Sequence, residues 1–83
     1  MHYQAFFPVA LNSGRTEAQK KKLAEEVTKA VMASTGNGEE SISVSIEDIA
    51  PSDWTDRVYK PDIENGPGKL YKPPGYGPLA SKQ

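Results

Sequence analysis

Arg15 and Arg57 are the groups in this chain best fitted to grip an anion, because a guanidinium fork can meet both oxygens of a carboxylate. Arg15 stands at a helix start, where it reads equally as a surface ion-pair partner and as a substrate-binding group. Arg57 follows the only tryptophan, Trp54, by three residues and can lend a pocket positive charge, though nothing in the spacing requires it. Trp54 reads as a packing anchor or as a pocket wall. The single histidine, His2, is a structural or solvated residue near the terminus, with proton transfer as the chemical alternative. Tyr71 and Tyr76 dock a tail, or one of their hydroxyls reaches a pocket. Asp53 and Asp56 are helix-start acids rather than an acid-base pair. Lys20, Lys21 and Lys22 precede Glu25 and Glu26, which makes a solvated face with weak i,i+4 pairs rather than an anion site. There is no cysteine, so thiolate zinc sites, iron-sulfur clusters and thiol catalysis are excluded. One histidine cannot make a His-rich metal site. No thiolate or His-rich metal site is expected.

These groups need a frame. Tyr3, Ala5, Phe7 and Val9 alternate along residues 2–10, and Phe6 beside Phe7 makes both faces of that strand apolar. Leu11, Asn12, Ser13 and Gly14 are turn residues, with Gly14 in a left-handed or tight conformation. Thr16 opens a capping box with Gln19, and Glu17 sits where the helix dipole favours an acid. Leu23, Val27, Ala30 and Val31 then form an apolar stripe, widened by Ala24 and Met32, along a helix over residues 16–34. Gly36, Asn37 and Gly38 stop it. Residues 41–46 are a second strand with Ile42, Val44 and Ile46 on one face and Ser41, Ser43 and Ser45 on the other. Pro51 starts a short helix with Trp54 and Val58 on one side, and Lys60-Pro61 ends it. The remaining Pro/Gly-rich stretch carries Leu70, Tyr71 and Tyr76, as an arm docked by its aromatics or as a loose tail.

A helix of this length between two strands is the usual right-handed crossover of a parallel pair, so the expected class is α+β with one β-α-β unit. One helix covers one face of a two-stranded sheet. Parallel sheets are buried on both faces and two strands alone are marginal, so the serine face must meet another copy or partner. A site there would be shared between chains. The 83 residues make a single domain, 1–83, with a core over 1–60 and an arm over 61–83. The net charge of −1 gives no field for nucleic acid or an anionic membrane, and no apolar run spans a bilayer or forms a signal core. The expectation is a soluble, cytoplasmic protein.

Three stretches resemble a known family. Gly14-Arg15-Thr16-Glu17-Ala18-Gln19-Lys20, with Leu23 and Val27, resembles the loop and helix start of 4-oxalocrotonate tautomerase and its relatives. Ser41-Ile42-Ser43-Val44-Ser45-Ile46, with Ile49, Pro51 and Trp54 beyond it, is similar to the family's second strand and the segment after that strand. Leu70-Tyr71-Lys72-Pro73-Pro74-Gly75-Tyr76 resembles the longer, phenylpyruvate-tautomerase-like branch. The resemblance implies a β-α-β fold completed with a neighbouring copy, as dimers or hexamers. It also implies cofactor-independent interconversion of the enol and keto forms of 2-oxo acids, of phenylpyruvate or 2-hydroxymuconate type, at a subunit interface. The family's base is the secondary amine of an amino-terminal proline, kept neutral by burial and nearby cations.

Carried over residue by residue, the resemblance makes Arg15 the carboxylate-binding group and Trp54 and Phe7 the walls around the substrate. Ser43 takes the strand position at which the smaller-subunit branch has a carbonyl-polarising arginine, and offers one hydrogen bond in its place. Arg57 is the candidate for the missing charge. Met1 stands at the proline's position; a primary α-amine there has a reference pKa of about 7.7–8 but lacks the ring's fixed geometry. The expected activity is therefore a weak tautomerase. The alternative is a non-catalytic ligand-binding or structural paralogue in a homo- or hetero-oligomer.

Overall fold

The computed structural model describes residues 4–82, with side chains through Ala80, so Met1, His2 and Tyr3 lie outside the described residues. The chain divides into two compact units, Met1–Ala50 and Pro51–Gln83. In the first, strand β1 (Ala5–Asn12), helix α1 (Glu17–Thr35) and strand β2 (Ile42–Ile49) follow in the expected order, and the strands pair in parallel. Ala5 lies beside Ile42 and Asn12 beside Ile49. Both strands run past their expected ends. Leu11 and Asn12 are ladder residues rather than turn residues, because Asp48 and Ile49 continue β2 opposite them. The ladder closes where the Ser13 N–H donates to the Ile49 carbonyl at 2.8 Å.

Helix α1 begins as its sequence dictates. The Thr16 hydroxyl accepts from the Gln19 N–H at 3.1 Å, and Gln19 Oε1 accepts from the Thr16 N–H at 2.8 Å. That satisfies two of the donors a helix start leaves open. At the other end Gly36, at φ +79°, donates its N–H to the Met32 carbonyl at 3.0 Å. The apolar stripe is shifted from its expected position. Leu23, Ala24, Val27 and Thr28 are half-buried and Val31 is buried, while Ala30 is exposed. The contact follows the i,i+4 rows 23-27-31 and 24-28, and Ala30 falls outside both.

One sheet face lies under α1: Ala5, Val9, Leu11, Ile42, Val44 and Ile46 are half-buried. The other carries exposed Phe6, Pro8, Ser43 and Ser45. A lone parallel pair with one face open fits self-association.

In the second unit, a 3-10 turn (Pro51–Asp53) precedes a widened, π-type helix, Thr55–Glu64. The short helix does not stop at Pro61, as its ring suggested. A wider i to i+5 turn houses a ring that would collide with the carbonyl four residues back. The helix ends instead where the Asn65 N–H and Nδ2 both donate to the Lys60 carbonyl, at 3.1 and 2.7 Å. Val58 and Tyr59 are buried. Tyr59 fastens the Pro/Gly-rich arm: its hydroxyl donates to the Tyr76 carbonyl at 3.1 Å and accepts from the Leu79 N–H at 3.0 Å. Among the described residues no helix is long and apolar enough to cross a membrane.

Candidate functional site

Where the two strands begin, Gln4, Ala5, Phe6, Glu40, Ser41 and Ser43 line an open cleft of about 380 Å³. Register places Phe6 beside Ser43, on the face away from α1. The strand is entered through a tight turn, Glu39–Ser41, whose hydroxyl is already engaged: Ser41 Oγ donates to the Gly38 carbonyl at 2.9 Å and accepts from Asn37 Nδ2 at 3.3 Å. Glu40 folds its carboxylate back over Gly38. The cleft thus offers an aromatic wall, the exposed Ser43 hydroxyl and one acid. None of its described lining residues is a cation.

The cation stands elsewhere. Arg15 is exposed on the loop between β1 and α1, past the carboxyl end of the parallel strands. Strands of eight residues at about 3.3 Å per residue separate it from the cleft by roughly 25 Å. That end is held firmly. Lys20 Nζ reaches Asp48 Oδ2 at 2.8 Å and Glu17 Oε1 at 3.1 Å, tying the first turn of α1 to β2. The Asp48 hydrogen bond, and then the Glu17 one, raises the Lys20 pKa above its ordinary 10.5.

The structure therefore separates the residues that the sequence nominated. Ser43 lines the cleft. Phe7 does not: it pairs with Val44 on the helix side, and the phenyl ring of the cleft is Phe6. Alternation alone made both rings available; fixing Phe6 opposite Ser43 requires the register, which only the pairing supplies. Glu40, Ser41 and Gln4 were missed because they lie at the strand entrances, where no periodicity marks them. Met1 lies outside the described residues. Trp54 and Arg57 belong to the second unit. Trp54 is half-buried, with its Nε1–H donating to Tyr76 Oη at 2.9 Å, and Arg57 is exposed.

A β-α-β unit with a half-covered, two-stranded parallel sheet is the fold class that the sequence resembled. Residues 6–56 match the profile of the Tautomerase family, described as tautomerase enzymes. A probable tautomerase of Xylella fastidiosa (strain 9a5c) is 40% identical over 73 residues, 88% of this chain and 89% of that one. The 2-hydroxymuconate tautomerase of Bacillus subtilis (strain 168) is 46% identical over 44 residues, covering 53% and 71% of the two chains. Among solved structures, a chain from the 4-oxalocrotonate tautomerase isozymes of Methylibium petroleiphilum matches with a TM-score of 0.57 at 39% identity, over 59% of this chain and 79% of that one. The chain belongs to the tautomerase family, and its function is that of a tautomerase-like isomerase.

Proposed function

We propose that the protein interconverts the enol and keto forms of a 2-oxo acid in a site that two copies build together. The separation of Arg15 from the Phe6-Ser43 cleft carries this reading. An anionic substrate needs a cation close by, the cleft's described lining has none, and a second copy can bring its Arg15 to the cleft of the first. The open sheet face supplies the reason for copies to meet. Arg15 holds the carboxylate, Ser43 donates to the 2-oxo oxygen, and Phe6 lines the cleft. Trp54 offers an aromatic surface to the ring of an aryl substrate, with Arg57 three residues away for added positive charge. In the reaction a base takes the enol O–H proton as C3 is protonated, giving the ketone with no net change in composition. The family resemblance makes the base an α-amine, with Met1 as its candidate here, and a primary amine without the ring's fixed geometry moves the proton poorly.

The test monitors the ultraviolet absorbance of the enol form of phenylpyruvate, and separately of 2-hydroxymuconate, with purified protein. Decay faster than buffer supports the reading; decay equal to buffer with both refutes it. Ser43, where a relative's arginine would polarise the carbonyl, favours a second reading in which the same site binds a 2-oxo acid without turning it over. Saturable binding at a buffer-level rate would select that reading.

A further inference from the structure

We propose that Tyr76 is a positioning residue, which fixes the Trp54 indole as a preset wall for an aromatic substrate ring. Trp54 is the residue just before the π-type helix and is only half-buried, so a ligand can reach it. Its Nε1–H donates to Tyr76 Oη at 2.9 Å, across 22 residues of chain. An indole has one donor, and a bond from it selects one orientation of the ring. Tyr76 is itself held at two points. Its ring meets Tyr59 edge to face, with centroids 5.3 Å apart and planes at 61°. Its carbonyl accepts from the Tyr59 hydroxyl. Tyr59 is buried, which anchors the series at one end. Gly77, at φ +74°, lets the chain pass close to that anchor: a Cβ there would stand 2.5 Å from Tyr59 Oη. The sequence of contacts is therefore buried Tyr59, half-exposed Tyr76, then the indole that a ligand touches. A wall held before the ligand arrives spares the entropy of ordering it on binding. Tyr76 thereby acts on substrate choice through Trp54 rather than by touching the reacting atoms.

The proposal rests on the reading that Trp54 meets the substrate ring, and its test separates the two. Tyr76→Phe keeps the ring against Tyr59 and removes only the acceptor. Trp54 is the sole tryptophan, so indole fluorescence and the single indole N–H resonance report this contact alone. In the ligand-free parent the indole proton should exchange slowly with solvent. In Y76F it should exchange freely, with shifted emission and lower anisotropy. A KM for the enol of phenylpyruvate raised about three- to tenfold, with kcat nearly unchanged and the KM for non-aromatic 2-hydroxymuconate unmoved, completes the expected pattern. Rapid indole exchange in the parent, or unchanged emission in Y76F, overturns the positioning role. Altered emission with equal KM changes for both substrates overturns the role in ring selection. Should the parent lack turnover, quenching of Trp54 by phenylpyruvate replaces KM: affinity equal in parent and Y76F overturns the proposal, whereas buffer-level rates alone count only against the catalytic reading.

Discussion

A site divided between copies makes a quantitative prediction that a site within one chain does not. Arg15→Ala removes the carboxylate clamp; a hydrogen bond to a charged group contributes about 1.5–3 kcal/mol, so kcat/KM should fall roughly ten- to a hundredfold. Ser43→Asp places a second acid in the cleft that already holds Glu40. At about 4 Å from the substrate carboxylate, its repulsion is of order 1–4 kcal/mol for effective dielectrics between 80 and 20. Arg15→Ala alone then keeps about a tenth or less of parental kcat/KM, and Ser43→Asp about a fifth or less. Mixed in equal amounts and allowed to exchange, they behave differently. A site needs an unaltered cleft from one copy and an unaltered Arg15 from a neighbour, each present half the time, so about a quarter of parental activity returns whatever the size of the closed oligomer. Native mass spectrometry verifies that copies have exchanged, and the ultraviolet assay reads the recovery. Thorough exchange with no recovery would refute the division of the site, because it means that cleft and arginine must come from the same chain.

Other outcomes depend on single contacts. Thr16→Ala removes the acceptor for the Gln19 N–H and should destabilise the fold by about 1 kcal/mol, with Thr16→Ser close to the parent in calorimetric melting. Lys20 is held in its charged form by Asp48 and then Glu17, so its folded pKa lies above the unfolded 10.5. Its contribution to stability is complete below 10.5 and is lost as pH rises through the folded value. The melting difference between parent and Lys20→Met should thus stay constant from neutral pH to near 10 and shrink only above 10.5. Gly77→Ala combines a left-handed backbone, unfavourable by about 1–2 kcal/mol for other residues, with a Cβ driven against Tyr59 Oη. It should loosen the arm and shift Trp54 emission in the direction that Y76F does, while Gly75→Ala, which meets no atom, should not.

What the sequence disclosed and what it withheld divide along a physical line. Local chemistry was legible: Thr16 and Gln19 cap α1, Gly36 ends it, and the alternation of Ile42, Val44 and Ile46 with serines describes the two faces of β2. That the strands pair in parallel was legible too, but the register and extent of the ladder were not. Nothing local shows that Leu11 and Asn12, which carry turn chemistry, remain in the ladder because Asp48 and Ile49 lie opposite. The substitution of Phe6 for Phe7 in the cleft has the same origin, since a one-residue choice of face is settled by register. Pro61 misled for a different reason. Its ring excludes an ordinary helical turn, and the chain adopts a wider one instead. The three-residue link Trp54, Tyr76, Tyr59 is a matter of tertiary contact alone, and no spacing announces it.

The parallel crossover itself explains why this small fold would share its chemistry between chains. In a β-α-β unit, the loop that enters the helix always lies at the carboxyl ends of the strands, and the first strand always begins at the other end. A group on that loop and a group at the head of β1 are separated by the full strand length, and no side-chain substitution shortens it. Lengthening the arm cannot cure this, because the two groups are fixed by the ladder. Two copies related by a twofold axis can place the head of one sheet beside the loop of the other, which turns a geometric obstacle into a reason for assembly. Activity per chain should then fall on dilution below the dissociation constant of the oligomer, even with substrate saturating, whereas a site complete in one chain would keep its turnover at any concentration.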